Sequence, residues 1–272
     1  MPELPEVETT RRHLAEQLTG ARIAHVALPD PRAVARPAPE AFAAALPGRA
    51  VTAWHRRGKY LLCALDDGHF LCIHRRLTGN LLLRPPGAPA DDHTVAVLAF
   101  ADGRELRFCD RRRLGRLWLA TSAEVAALDA QLGPEPLAPE FTPDVLARQL
   151  ARRRGQLKPL LLDQRVVAGL GNIYADEALH AAGLHPTRLA HTLTPAEVAR
   201  LHAAIRAVLE QGLRHEGTTF SDYRGAIGQP GRNQLLVAVF RKTGQPCARC
   251  GTPIARLRLG GRSTHYCVVC QA

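Results

Sequence analysis

Lysine is almost missing from this chain. Of its 36 basic residues only Lys59, Lys158 and Lys242 are lysines, and arginine supplies the rest. Genomic composition readily produces such a bias, so the imbalance identifies nothing by itself. Long apolar runs are missing too, which excludes a membrane-spanning helix, and no basic amphipathic helix is present to lie on a membrane surface. No cationic stretch precedes an apolar segment near Met1, so no secretory signal is expected. No internal repeat or low-complexity tract stands out. Seven cysteines, an odd number without a signal, argue against a disulfide framework and for a reducing cytoplasm.

What is present is a chain of 272 residues with 46% hydrophobic content, enough for about two domains with real cores. Its formal charge is +11 and its pI is near 10.0. Such an excess calls for an acidic partner or a tolerance of self-repulsion, and nucleic acid is the commonest partner of this kind.

Leu4, Val7, Leu14 and Leu18 fall at helical spacing, and Gly20 ends that helix. Short runs of strand character follow over 22–28, 50–56, 60–65, 69–74, 80–83, 94–100, 105–109 and 116–120. Turn signals such as Asp66-Asp67-Gly68 and Ala101-Asp102-Gly103 separate most of them, which predicts a β-sandwich or barrel. Residues 28–47 are rich in proline and alanine and read as a loop with a short helix. Beyond Gly133-Pro134-Glu135-Pro136 the pattern is helical, over 142–153, 155–164, 172–183 and 194–212. Thr194-Pro195-Ala196-Glu197 supplies a cap, a proline at the first position and a capping-box glutamate. The glycine-rich stretch 216–231 reads as a mobile loop, where function often sits. The expected class is α+β with two domains, divided at 1–132, 133–239 and a cysteine-bearing tail, 240–272.

That tail carries Cys247-x2-Cys250 and, sixteen residues later, Cys267-x2-Cys270. Two such knuckles bring four thiolates around one tetrahedral Zn²⁺; a redox pair or an iron–sulfur cluster are the alternatives. Four ligands leave no open position, so the zinc is expected to be structural. Four thiolates plus the ion lower the net charge from +11 to +9. Between the knuckles, Arg256 to Arg262 reads as a hairpin, either solvated or presenting Arg262 to phosphate. Cys63, Cys72 and Cys109 lie singly within apolar runs and are expected to be buried and inert.

The opening Met-Pro-Glu-Leu-Pro-Glu-Val-Glu admits two readings. One is an ordinary helix start, since proline and acidic side chains suit a first turn. The other is chemical. Removal of Met1 leaves Pro2 as a secondary amine, a nucleophile able to form an iminium with an aldehyde-level carbon. Its ordinary pKa of about 7.7–8 leaves a useful neutral fraction near pH 7. Glu3 and Glu6 stand beside it.

Taken together, these features resemble the formamidopyrimidine-DNA glycosylases, and the resemblance covers essentially the whole chain. It rests on the N-terminal Met-Pro-Glu-Leu-Pro-Glu-Val-Glu-Thr, Arg57-Gly58-Lys59-Tyr60-Leu61, Thr78-Gly79, Leu132 to Leu137, Lys158-x3-Leu162-Asp163-Gln164, Val167 to Glu177, His185-Pro186, Gly217-Thr218-Thr219, the knuckles and the closing Cys270-Gln271. The resemblance implies an N-terminal helix and antiparallel β-sandwich, a helical domain with a helix–two-turns–helix motif and lesion-capping loop, and a zinc-finger hairpin. It implies a monomeric bacterial enzyme of the cytoplasm, held at the nucleoid by double-stranded DNA carrying oxidised purines or abasic sites. Pro2 would attack the sugar, Glu3 would move protons, and Glu6 would support both. Lys59, Asn172 and Arg262 would bind phosphates. His74 and Arg112 would lie near the kinked duplex, and Lys158 would take part in handling oxidised guanine. The base must leave the stack, and side chains must fill the hole.

The family uses Met, Arg and Phe to fill it; here the matching residues are Leu77, Arg112 and Leu114. Leucine can wedge between bases, but Leu114 has no ring to stack. Arg111 stands where the family has Pro or Val, and Phe240-Arg241-Lys242 replaces a Tyr-Gly-Arg-like run. Bland alternatives stand beside each assignment: Lys59 as a solvated turn, Asn172 as a helix cap, Arg111 to Arg113 as a solvated charge run. Two rival functions also stand: the endonuclease VIII-like chemistry on oxidised pyrimidines, against which Leu4 and the 216–231 loop argue, and a non-catalytic binder of damaged DNA.

Overall fold

The computed structural model describes residues 1–151 and 153–272; Arg152, within the helix expected over 142–153, lies outside the described residues. The chain forms two compact units, Met1–Ala130 with His215–Gln234 and Gln131–Arg214 with Leu235–Ala272. These divisions differ from the expected ones. The glycine-rich loop joins the first unit, because Leu83 N donates to Ala226 O at 2.7 Å and Thr218 N donates to Glu6 Oε1 at 2.7 Å. The cysteine tail shares one unit with the helices.

In the first unit α1 (Leu4–Leu18) buries Leu4, Val7, Leu14 and Leu18, as their spacing requires. Then come β1 (Ile23–Ala27), β2 (Val34–Arg36), α2 (Pro39–Ala45), β3 (Val51–Arg57), β4 (Tyr60–Leu65), β5 (Phe70–His74), β6 (Gly79–Arg84), β7 (Thr94–Phe100), β8 (Glu105–Asp110), β9 (Arg116–Ala120) and α3 (Ser122–Ala130). The strands make two sheets, ordered β1-β7-β8-β6 and β2-β9-β5-β4-β3. One pairing departs from the antiparallel pattern: β2, a three-residue edge strand inside the Pro/Ala-rich stretch, runs parallel to β9.

Side chains alternate by face along each strand. Leu61, Cys63, Leu65, Leu71 and Ile73 join Val7, Leu14 and Leu18 in the main core. Leu62 and Cys72 face the other way, where Val125 and Leu128 of α3 cover them. The pattern did not announce α3, because no residue in it is fully buried and only those two apolar side chains touch the sheet. Its capping box was the available signal: Thr121 N donates to Glu124 Oε2 at 2.8 Å. Cys63, Cys72 and Cys109 are buried, and burial raises all three thiols, Cys72 to about 12.

The second unit holds α4 (Pro143–Ala151), α5 (Leu157–Leu162), α6 (Asn172–Ala182), α7 (Pro195–Arg214) and the hairpin β10 (Ala255–Leu259) and β11 (Arg262–Tyr266). The capping box at the start of α7 forms as expected, with Thr194 N donating to Glu197 Oε2 at 2.7 Å. Gly260 and Gly261 turn the hairpin at φ +52° and +74°, left-handed values that favour glycine in a two-residue turn. No helix among the described residues is long and apolar enough to cross a membrane.

Candidate active site and metal centre

The leading end of the chain is folded inward. Pro2, Glu3 and Glu6 are buried, while Met1 is 44% exposed. Glu3 is the N-cap of α1, and its backbone N–H donates to Glu6 Oε2 at 2.8 Å. The other Glu6 oxygen, Oε1, accepts from Thr218 N at 2.7 Å. Glu6 therefore joins the start of α1 to the glycine-rich loop. Gly217 makes the approach possible: its φ is +86°, and a Cβ there would lie 2.8 Å from Glu6 Cγ. The Met1 amine is pushed below its ordinary value, chiefly by burial. Glu3 and Glu6 oppose the shift, and the charges of Lys59 and Arg75 add to it. Asp222, in the loop, also feels the charge of this amine.

Lys59 sits in the two-residue turn between β3 and β4, where Arg57 and Tyr60 pair. It is only 5% exposed, which removes the solvated-turn alternative. Burial, with Arg76 and Lys59 nearby, pushes His74 down to about 3, so its imidazole is neutral at physiological pH. His74 Nδ1 accepts from Arg76 N at 3.1 Å, which leaves the proton on Nε2 as a donor.

The three residues matched to hole filling lie at the edge of the sandwich. Leu77 is half-buried, and Arg112 and Leu114 are exposed. Asp110 organises the turn that carries two of them: Oδ2 accepts from Gly115 N at 2.6 Å, and Oδ1 accepts from Thr78 Oγ1 and from Arg112 N. The arginine run is not simply solvated. Arg111 pairs with Asp222 of the loop at 3.0 Å and Arg113 with Asp30 at 3.2 Å.

In the second unit Asn172 opens α6 one residue after the cap, Gly171, and so is not itself the cap. Its Oδ1 is buried and has no hydrogen-bond partner among the described residues. The preceding turn is braced by Gln164, whose Oε1 accepts from Gly169 N at 2.9 Å and whose Nε2 donates to Leu170 O at 2.9 Å. Arg262 is exposed at the start of β11.

Lys158 is enclosed within the second unit. It was expected to take part in handling the lesion, yet it is 0% exposed. Its Nζ lies 2.6 Å from Asp176 Oδ1, 2.7 Å from Ser263 O and 2.9 Å from Thr264 Oγ1. Asp176 Oδ2 in turn accepts from His265 N at 3.0 Å. A buried ammonium needs such partners to stay charged. Lys158 thus holds β11, the strand that begins with Arg262. Glu177 does similar work at the entry to the cysteine tail, accepting from the backbone N–H groups of Ala238, Val239 and Phe240 at 2.6–2.9 Å. Phe240, which stands where the family carries a tyrosine, is buried and meets the His265 ring edge-on at 5.1 Å.

The sulfurs of Cys247, Cys250, Cys267 and Cys270 all lie within 4.8 Å of one another. Tetrahedral zinc with Zn–S near 2.3 Å separates its sulfurs by about 3.8 Å. The pairs Cys247–Cys270 at 3.9 Å and Cys250–Cys267 at 3.4 Å bracket that value. His180 Nε2 lies 3.5 Å from Cys247 Sγ, and burial pushes this histidine down to about 4, so it faces the sulfur as a neutral ring. The donor set suits one structural Zn²⁺ and offers no open position.

Arg75, Asn80, Asp110, Asp176 and Glu177 escaped the sequence reading. For Arg75 a signal existed. Arg75 follows β5 directly and continues the parity of the inward-facing Leu71 and Ile73, which points it to the core side. Asp176 and Glu177 lay inside the quoted Val167 to Glu177 match without being singled out, and Asp110 ends β8, where neither spacing nor parity marks an acid as buried.

Comparison with known proteins agrees along the chain. Residues 1–117 match the formamidopyrimidine-DNA glycosylase N-terminal domain, 132–224 the formamidopyrimidine-DNA glycosylase H2TH domain, and 244–272 the zinc finger found in FPG and IleRS. The formamidopyrimidine-DNA glycosylase of Herpetosiphon aurantiacus is 49% identical over 273 residues, covering 100% of both chains. That of Moorella thermoacetica is 51% identical over 260 residues, covering 95% of each. Among solved structures, a Lactococcus lactis FPG mutant in complex with a Fapy-dG containing DNA superposes with a TM-score of 0.93 at 35% identity, covering 99% of both chains. The complex of Lactococcus lactis Fpg with an abasic site containing DNA gives the same values.

Proposed function

Because this chain belongs to the formamidopyrimidine-DNA glycosylase family, we propose that it excises oxidised purines from duplex DNA and then cuts the abasic strand. The reading rests chiefly on one observation: Pro2 is buried between an exposed Met1 and the buried Glu3, at an end of the chain where burial already makes the Met1 amine less basic than usual. A nucleophilic amine must be neutral, and burial near cations is how a protein keeps it so.

Removal of Met1 makes Pro2 N that amine. It attacks C1′ of the damaged nucleotide, and the base departs with the bonding pair. Glu3 protonates the ring oxygen, the sugar opens, and the nitrogen lone pair closes an iminium to C1′. Loss of a C2′ proton expels the 3′ phosphate, and a second elimination expels the 5′ phosphate. Hydrolysis of the iminium frees Pro2. Glu6, with one oxygen on Glu3 N and the other on Thr218 N, fixes the acid relative to the loop. Lys59 and the Nε2–H of His74 face phosphate, His74 as a neutral donor. Asn172, at a helix start, and Arg262 add phosphate contacts. Leu77, Arg112 and Leu114 occupy the space the everted nucleotide leaves. Zn²⁺, held by four thiolates, supplies only the rigidity of the hairpin.

Borohydride reduction of the protein with abasic-site DNA tests this. A covalent adduct that vanishes in Pro2→Gly is expected. No adduct, or a mature protein that retains Met1 and is fully active, overturns the reading in favour of a binder without amine chemistry. Faster excision of thymine glycol than of 8-oxoguanine would instead assign oxidised pyrimidines.

A further inference from the structure

Arg75 is a charged side chain in the place of a core residue, and it is 1% exposed. Each of its three nitrogens donates to a named acceptor. Nε donates to Gly79 O at 2.8 Å; one Nη donates to Thr10 Oγ1 at 2.7 Å and Glu6 O at 3.5 Å; the other donates to Asn80 Oδ1 at 2.7 Å and Arg224 O at 3.3 Å. These acceptors belong to α1, to the start of β6 and to the glycine-rich loop. None of them is a carboxylate, and burial pulls the guanidinium down to about 10. A leucine would fill this volume without such a cost. What leucine lacks is the planar fork that reaches three segments at once.

Asn80 completes the grip. Its Nδ2 donates to Asp222 O at 2.6 Å, and its Oδ1 accepts from Arg224 N at 3.0 Å as well as from Arg75. The residue between, Tyr223, lies under the Arg75 guanidinium at 5.2 Å from its ring centre. Three consecutive loop residues, 222–224, are thus held from one side by two side chains. The same loop touches Glu6 through Thr218, and its Asp222 feels the leading amine.

We propose that Arg75 and Asn80 are positioning residues that set the 222–224 segment as the wall of the base pocket, so that base excision depends on that wall and abasic-strand cleavage does not. The inference rests on the glycosylase reading above and adds to it a division of labour. A preformed abasic site has no base to hold, so its reaction with Pro2 needs α1 and not the wall. A damaged base must be held still while C1′ is attacked, and a small displacement costs rate steeply.

The test compares Asn80→Ala and Arg75→Lys with the unaltered full-length protein on two duplexes, one with 8-oxoguanine and one with a preformed abasic site. Arg75→Lys retains the charge and loses the fork; Asn80→Ala leaves Arg75 intact. Single-turnover excision of 8-oxoguanine should fall about ten- to a hundredfold in each, the size of one or two lost hydrogen bonds. Abasic-site cleavage and borohydride trapping should stay within about threefold in Asn80→Ala, whose side chain bonds the loop and Arg75. Arg75→Lys also releases Glu6 O and Thr10 Oγ1 of α1 and should slow both reactions. An equal fall in both reactions in Asn80→Ala assigns the pair to general support of the fold and overturns the proposal, as does no change in either. Absence of both reactions from the unaltered protein removes the glycosylase reading, and this inference with it.

Discussion

Glu6→Gln separates the geometric reading of this site from a simple count of carboxylates. Both oxygens of Glu6 face backbone N–H donors, at 2.8 Å from Glu3 and 2.7 Å from Thr218. Glutamine has nearly the same shape but only one oxygen. Whichever way its amide turns, one buried N–H meets an NH2 group. The loss is one charge-assisted bond and one stranded donor, together about 2–3 kcal/mol. For a unit of about 150 residues this lowers the melting temperature by about 4–12 °C. Glu3 should be displaced as well, and the trapping rate on abasic-site DNA should fall by about ten- to a hundredfold, since about 1.4 kcal/mol is tenfold in rate. Thermal melting and single-turnover trapping measure the two effects independently. A Glu6→Gln protein that melts and traps like the unaltered one would show that neither oxygen carries the contact described.

Further outcomes follow from the same geometry. Burial lowers the Met1 amine, and Pro2, buried one residue further in, should carry its amine in the same surroundings once Met1 is removed; the rising limb of trapping against pH should then have its midpoint below about 8, and a midpoint above that value contradicts the burial argument. Protein purified without chelator should contain one zinc per chain, and Cys250→Ser should lose it together with DNA affinity; absence of zinc from the unaltered protein removes the metal centre. Arg262→Ala should weaken DNA binding and reduce the slope of log K against log salt by about 1, and an unchanged slope excludes the phosphate contact. Lys158→Ala should act differently, stranding Asp176 at a cost of about 3–5 kcal/mol in stability; a large melting change with little change in salt slope is expected, and the reverse would return Lys158 to the DNA surface.

Much of the fold was readable. β4, β7 and β9 occupy the expected residues, because apolar alternation and flanking turn residues leave little freedom in their placement. The four cysteines were readable for a similar reason: their spacing constrains the backbone before any other contact forms. α3 was not readable, because a helix whose apolar contact with the sheet is made by Val125 and Leu128 shows almost no apolar stripe. The contacts of the glycine-rich loop were not readable: Glu6, Arg75, Asn80, Leu83 and Arg111 all bind it, and none of these contacts has a local signature.

The residues themselves determined which functional groups this chain carries close together: a proline at position 2, carboxylates one helical turn apart, two pairs of cysteines. They determined it because reactivity belongs to functional groups and short spacing. Only the tertiary structure decided which charges meet water and which are enclosed. Arg75, Lys158 and Arg262 are all plain cations on paper, but one grips a loop, one braces a strand and one stays exposed. Burial depends on contacts between segments as far apart as residues 75 and 224, and no local pattern in an amino-acid sequence records such a contact.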